Sequence, residues 1–399
     1  MEQDGSKKYN RGMDYFYELY ASYILKHAIE LSKDDVLSIN TEEKFVPFAR
    51  LLASKAKEIT DNGSYLVIIE NKKAKEAVEI FSDYLIEKSP TVFIHLQGRE
   101  EEPDFEEGKI YSAREAQLFF HLASPIILPE AEVCFLTVPM PDISWAQSLG
   151  EELSEKNIVA MISDFLELEN IDSYQSFRDA LEIDSYDKRN LSYHKGRRAH
   201  LYTDDGMTDL YFSFADNSDF KSLVYETKKQ RKFIPHLFSS SYFRAIDFRS
   251  AEGHVETRLP YRLFGKTIYS SSFEFENGRI KSFSASDEDA KRIMAYLKQD
   301  DMAGALAEIE ITETFARIAD IELFSYPEWD KLRGIVLTLG APRSEAVAYS
   351  DEDEAIRNGI AASLFTLSLP LGSSDITLEI IDDGKEEILY SDGIIEDYQ

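Results

Sequence analysis

Histidine is the scarcest catalytic resource in this sequence. The full set is His27, His95, His121, His194, His200, His236 and His254, so nothing beyond residue 254 offers an imidazole. A metal centre in the C-terminal part must therefore use carboxylates alone or borrow from residues up to His254. His27, His95 and His121 fall on apolar segments and read as packed, satisfied histidines, whereas His236 and His254 stand out as candidate ligands. Nucleophilic catalysis has less support, because no GxSxG elbow is present and Ser239-Ser240-Ser241 reads as a plain polar loop. Neither GxGxxG nor GxxxxGK[ST] occurs, which removes the main phosphate-cradling loops. The basic pieces Lys195-Gly196-Arg197-Arg198 and Lys228-Lys229-Gln230-Arg231-Lys232 can bind a carboxylate, but a helix end and an exposed loop account for them. The acidic stretch Arg99 to Glu107, with Pro103 inside it, reads as a solvated loop.

Two domains are expected to position these groups, since 399 residues exceed what one growing core usually holds. With 43% hydrophobic and 12% aromatic residues, the chain can offset its conformational entropy by burial. The 44 Lys and Arg against 74 Asp and Glu leave a net charge of −30, a field that repels phosphate backbones and anionic lipid. Nucleic acid and membranes are therefore disfavoured as partners. Cys134, the single cysteine, lies in the apolar run Val133 to Leu136 and reads as a small buried hydrophobe. No disulfide framework follows, and the opening residues lack a secretory segment, so the expected compartment is the cytoplasm.

Helical spacing from Tyr15 to Leu31 precedes a strand at Asp35 to Asn40, and Phe45 to Ile59 precedes the apolar strand Tyr65 to Ile69. The beat repeats with Ala74 to Ile86 and Thr91 to His95, then Ala113 to Ala123 and Val133 to Val138. Apolar strands alternating with helices predict a doubly wound α/β domain over residues 1–190. From Thr208 the texture changes to short alternating runs: Asp209 to Phe214, Phe243 to Phe248, Thr267 to Phe275, Arg279 to Phe283, Asp320 to Phe324, Gly334 to Leu339, Ser363 to Leu369 and Asp375 to Ile381. Residues 191–399 are thus expected as a β-rich α+β domain, with the break near Tyr193 to His200. Asn277-Gly278 predicts a type I′ hairpin, and Ser286 is expected to cap a helix from Asp287 to Leu297.

Several stretches resemble the aminopeptidase T / aminopeptidase S family of metallo-aminopeptidases. They include Tyr23-Ile24-Leu25 to Asn40, Phe48-Ala49-Arg50-Leu51-Leu52, Thr208-Asp209-Leu210, Ile234-Pro235, Gly253 to Thr257, Phe273 to Ile280, Ala307-Glu308-Ile309 and the segment from Asp383 to Gly393. Their order and spacing along the chain carry the likeness. It implies an N-terminal α/β domain and a C-terminal domain holding two divalent ions such as zinc or cobalt. Carried over residue by residue, the family's ligand positions fall at Leu237 or Phe238, at Glu308, at Val336, and at Thr366 and Ser368. Only Glu308 keeps a ligand type, and one carboxylate cannot hold the two cations that activate water and clamp a scissile carbonyl.

The expectation is accordingly a catalytically degenerate member with a binding or assembly role, no bound metal, a homodimeric state and a peptide as ligand. The alternative is an active metal-dependent aminopeptidase with a relocated site, for example Glu308 with His236, His254 and nearby acids such as Asp247, Glu252 or Glu310, activating water on the cation. A structural protein acting through its acidic surface is a third reading.

Overall fold

A computed structural model describes residues 3–69, 90–99, 133–150, 152–169, 186–194, 196–216, 218–227, 230–237, 241–313, 323–343, 346–347, 352–382 and 384–397. The expected helices Ala74 to Ile86 and Ala113 to Ala123, His121 and the acidic stretch beyond Arg99 lie outside them. The fold combines a smaller α/β unit with a larger β-rich unit.

In the smaller unit, β1 (Leu37–Glu42), β2 (Ser64–Ile69), β3 (Val92–Gln97) and β4 (Cys134–Pro139) form a parallel sheet in the order β2-β1-β3-β4. The apolar runs predicted it, because a strand covered on both faces needs no polar alternation. Helices Gln3–Tyr23, Val46–Ala56, Ile143–Leu149 and Glu155–Phe165 belong to the same unit. Asp142 caps the third of them, accepting the Trp145 N–H at 2.7 Å.

The chain returns to this unit at Val224–Ser239, which local sequence pattern did not foretell. Its His236 bridges Thr137 on β4, and Arg231 clamps the segment onto Asp35, Nη1 standing 2.9 Å from both carboxylate oxygens. Burial opposes a charge on Asp35, but hydrogen bonds from Thr91 and Ser32, with Arg231, outweigh it and hold the carboxyl below its ordinary value. Arg231 is thus a tether to Asp35, where an exposed basic loop was expected.

The larger unit takes Glu182–Leu223 and Ser240–Gln399. Its strands are β5 (Arg198–Thr203), β6 (Asp209–Phe214), β7 (Lys221–Ser222), β10 (Tyr242–Glu256), the hairpins β11–β12 (Tyr261–Leu263, Lys266–Ile268) and β13–β14 (Ser272–Glu276, Arg279–Ser284), and β15 (Leu306–Ile311). Then come β16 (Ile335–Leu339), β17 (Leu367–Gly372), β18 (Ile376–Asp382), β19 (Lys385–Ser391) and β20 (Ile394–Ile395); β8 (Tyr225–Glu226) and β9 (Lys232–Phe233) sit in the returning segment. The main sheet is antiparallel in the order β17-β16-β15-β10-β6-β5-β18-β19-β20, with β13 and β7 also paired to β10. One face carries the core, including Phe212, Phe273, Ile309, Leu337, Leu369 and Leu378. Asn277 and Gly278 take φ of +51° and +75° in the β13–β14 turn, and Ser286 caps Asp287–Leu297, both as the sequence predicts.

Three strand expectations change, one of them Ser363 to Leu369, where the strand starts only at Leu367. Thr267 to Phe275 is divided between β12 and β13, and in the connection Thr257 Oγ and Tyr261 OH, at 3.1 and 2.9 Å, hold the Ser271 hydroxyl. Of Asp320 to Phe324, the described Leu323 and Phe324 are not in a strand; Phe324 is buried edge-on against Trp329, 5.6 Å between ring centres. Among the described residues, no helix is long and apolar enough to cross a membrane.

Candidate functional site

Strand β15 reads Leu306-Ala307-Glu308-Ile309-Glu310-Ile311, and a period of two sends Ile309 and Ile311 into the core. Glu308 and Glu310 therefore share the opposite face. That face is closed too, for each glutamate is only 1% exposed. Opposite residues of an antiparallel pair stand side by side, which defines two rows across four strands. Ala245, Glu308, Thr338 and Ser368 make one; Phe243, Glu310, Val336 and Pro370 make the other.

Burying two carboxylates demands partners. Gly340 ends β16 with φ of +96°, and a side chain there would meet the Phe365 carbonyl at 1.9 Å, so glycine alone permits this reversal. Three residues later Arg343 reaches both acids. Its backbone N–H donates to Glu308 Oε2 at 2.8 Å, its Nη2 donates to Glu310 Oε2 at 2.5 Å, and its Nε lies 3.7 Å from Glu308 Oε1. The guanidinium sits 4.6 Å from the centre of the Phe243 ring. Ser241 Oγ, which is buried and not part of a plain polar loop, donates to the second oxygen of Glu310 at 2.5 Å. Burial pushes the Glu308 carboxyl up to about 7; Arg343 opposes the shift and the Glu310 charge adds to it. The result is a buried pair of acids joined by Arg343.

Residues 104–394 match the thermophilic metalloprotease (M29) family. The chain belongs to that family. Its fold is similar to that of wild-type AmpT from Thermus thermophilus, with a TM-score of 0.70 and 19% identity, covering 96% of this chain and 99% of the other. No curated protein matches it.

As a donor set for two divalent cations, the residues of these two rows do not fit. The two rows offer two carboxylates and the hydroxyls of Thr338 and Ser368, with Val336 and Pro370 beside them and no imidazole. Among the described residues, no three His, Cys, Asp or Glu side chains are grouped so as to hold a metal ion.

The remaining expected positions are dispersed. Thr366 is exposed just before β17, Leu237 is buried in the returning segment of the smaller unit, and Phe238 lies outside the described residues. His254 is exposed on β10, with Nε2 3.0 Å from the Gly206 carbonyl. Glu308 faces Ala245 on that same strand, nine residues earlier, a separation of up to about 30 Å at ~3.3 Å per residue. The structure therefore does not bring His254 to Glu308. Asp247 is taken by Arg249 at 2.8 Å, and Glu252 by the Asn277 N–H at 2.6 Å.

His236 belongs to the smaller unit, in a lateral row of Asn40, His95, Thr137 and His236. His95 is not the satisfied histidine expected: its Nδ1 is enclosed without a hydrogen bond, and burial, then His236, push its pKa down to about 4. Sequence reasoning missed Arg343, Ser241 and Thr338. The spacing of Thr338 from Val336 on an otherwise apolar strand was the one available signal.

Proposed function

We propose that this M29 chain is a catalytically degenerate relative of the aminopeptidase T / S enzymes, keeping their fold for binding or assembly. The observation that carries the reading is Arg343, whose backbone N–H engages Glu308, the one ligand type the resemblance keeps, and whose guanidinium engages its buried neighbour Glu310. A permanent positive charge at those oxygens opposes a second one, and a guanidinium cannot lower the pKa of bound water as a metal does. A peptide is the ligand class we assign, with a cytoplasmic homodimer as the working form.

The rival reading, an active aminopeptidase with a relocated metal site, draws its support from membership of a metalloprotease family. Metal analysis of the purified chain, with hydrolysis of amino-acyl p-nitroanilides, separates the two. Degeneracy predicts far less than one zinc, cobalt or manganese per chain and no hydrolysis above background. Metal-stimulated release of N-terminal residues, abolished by Glu308→Ala, would establish the enzyme instead.

A further inference from the structure

Three Asn-Gly pairs occur in the sequence: Asn62-Gly63, Asn277-Gly278 and Asn358-Gly359. This dipeptide is the one most open to internal imide formation, because the glycine lacks a Cβ to shield its nitrogen and adopts many backbone conformations. All three asparagines are exposed, so exposure does not separate them. Their glycine nitrogens do. Gly278 N donates to the Ala251 carbonyl at 2.9 Å, the Gly278 carbonyl accepts from Leu306 N at 3.2 Å, and the space beside its Cα is filled by the Phe248 carbonyl. Gly359 N donates to the Ile356 carbonyl at 3.1 Å, its carbonyl accepts from Phe248 N at 2.9 Å, and Asp247 packs on its Cα. Gly63 N has no acceptor among the described residues, and nothing lies within 4 Å of where a Cβ would stand. Two bonds hold the asparagine before it: Asn62 N to Thr60 Oγ at 3.2 Å, and Asn62 Nδ2 to the Asp34 carbonyl at 2.8 Å, the latter exposed.

We infer that Asn62 is a site of spontaneous deamidation in the folded protein, while Asn277 and Asn358 are protected by their turns. The Gly63 nitrogen attacks the Asn62 side-chain carbonyl carbon. A carbon–nitrogen bond forms in a five-membered imide, the bond to the amide nitrogen breaks, and ammonia leaves with the proton from Gly63. Water then opens the ring at either carbonyl, giving an aspartyl or an isoaspartyl linkage at position 62. Both products replace a donor to the Asp34 carbonyl with a carboxylate, beside Asp61 and its Lys33 partner at 3.3 Å. The isoaspartyl form also lengthens the backbone at the entry to β2, next to the loop where Asp35 holds Arg231.

The test is peptide mapping by mass spectrometry of the full chain aged in warm, mildly alkaline buffer, folded and in urea. In the folded chain the peptide holding Asn62 should convert roughly tenfold faster than the other two, a difference of about 1.4 kcal/mol in barrier. In urea the three rates should converge, since the protection is structural. The acidic species seen on isoelectric focusing should vanish in Asn62→Gln. A folded chain in which Asn62 stays intact, or in which Asn277 or Asn358 converts as fast, overturns the inference. An unchanged rate order in urea overturns it too.

Discussion

Arg343→Met tests the internal-cation reading through its pH dependence. Arg343 meets Glu310 at 2.5 Å and Glu308 at 3.7 Å in a site where each acid is 1% exposed. At an effective dielectric near 20, a unit pair about 4 Å apart interacts by ~4 kcal/mol. Removing one partner of a buried pair costs about 3–5 kcal/mol in practice. Methionine keeps most of the volume against Phe243, so the loss is chiefly electrostatic. Glu308 adds a sign. Its folded pKa, about 7, lies above the ordinary 4.5, so the folded state holds a proton that the unfolded state has released. Stability therefore falls as pH rises from 4.5 and levels off above 7, once the folded carboxyl also ionises. Without Arg343 the carboxyl keeps its proton to higher pH, and the decline continues at ~1.4 kcal/mol per unit. Destabilisation should thus be about 3 kcal/mol near pH 6 and larger by about 1.4 kcal/mol near pH 8.

Urea unfolding followed by fluorescence measures this cleanly in a Trp145→Phe background. Of the two tryptophans, both fully buried, Trp329 then remains as reporter of the larger unit. A cost below 1 kcal/mol, or one equal at both pH values, would refute the reasoning.

Other outcomes follow from the same structure. Divalent cations should raise the melting temperature of Arg343→Met, whose two acids lack a cation, and leave the parent chain unmoved; calorimetry with manganese or zinc reads this. His95 acts in the opposite direction to Glu308, because its folded pKa is depressed to about 4. Its contribution is present above the unfolded value of 6.5 and lost as pH falls toward 4, so His95→Phe should flatten the acid sensitivity of the smaller unit, read from Trp145 emission. Gly278→Ala should destabilise the larger unit by at least ~3 kcal/mol, since its Cβ would stand 1.2 Å from the Phe248 carbonyl at a φ of +75°. A loss below 1 kcal/mol in urea unfolding would contradict that packing.

What local chemistry decides was legible in the sequence. The parallel strands announced themselves as apolar runs, each found within a few residues of its expected position, and the Ser286 cap and Asn277-Gly278 turn depend on neighbours in sequence. What depends on distant pairing was not. The fifteen-residue β10 carries Arg244, Asp247 and Arg249, which break any simple alternation, and its register shifts between Asp247 and Glu252. Arg231 meets Asp35 across 196 residues, which no window of local pattern can reveal. At the site, Glu308 was visible through family resemblance and Glu310 through the alternation with Ile309 and Ile311. Arg343 was not, because its role arises from the reversal at Gly340.

The same alternation bears on how the fold would outlast the family's chemistry on the proposed reading. On β15, β16 and β17 the inward set, including Ile309, Leu337 and Leu369, builds the main core, while Glu308, Glu310, Val336, Thr338 and Ser368 stand on the opposite face. This second set is closed in as well, so packing and charge both constrain it. Two adjacent buried carboxylates cannot both stay ionised without a cation, so loss of metal-binding residues calls for loss of the acids, protonation of one of them or a replacement positive charge. On the proposed reading this chain combines the last two courses, with the Glu308 carboxyl raised to about 7 and Arg343 bound to both acids. Arg343 and a bound metal are then alternatives at one site, which is why the response of Arg343→Met to added cations bears directly on what the chain does.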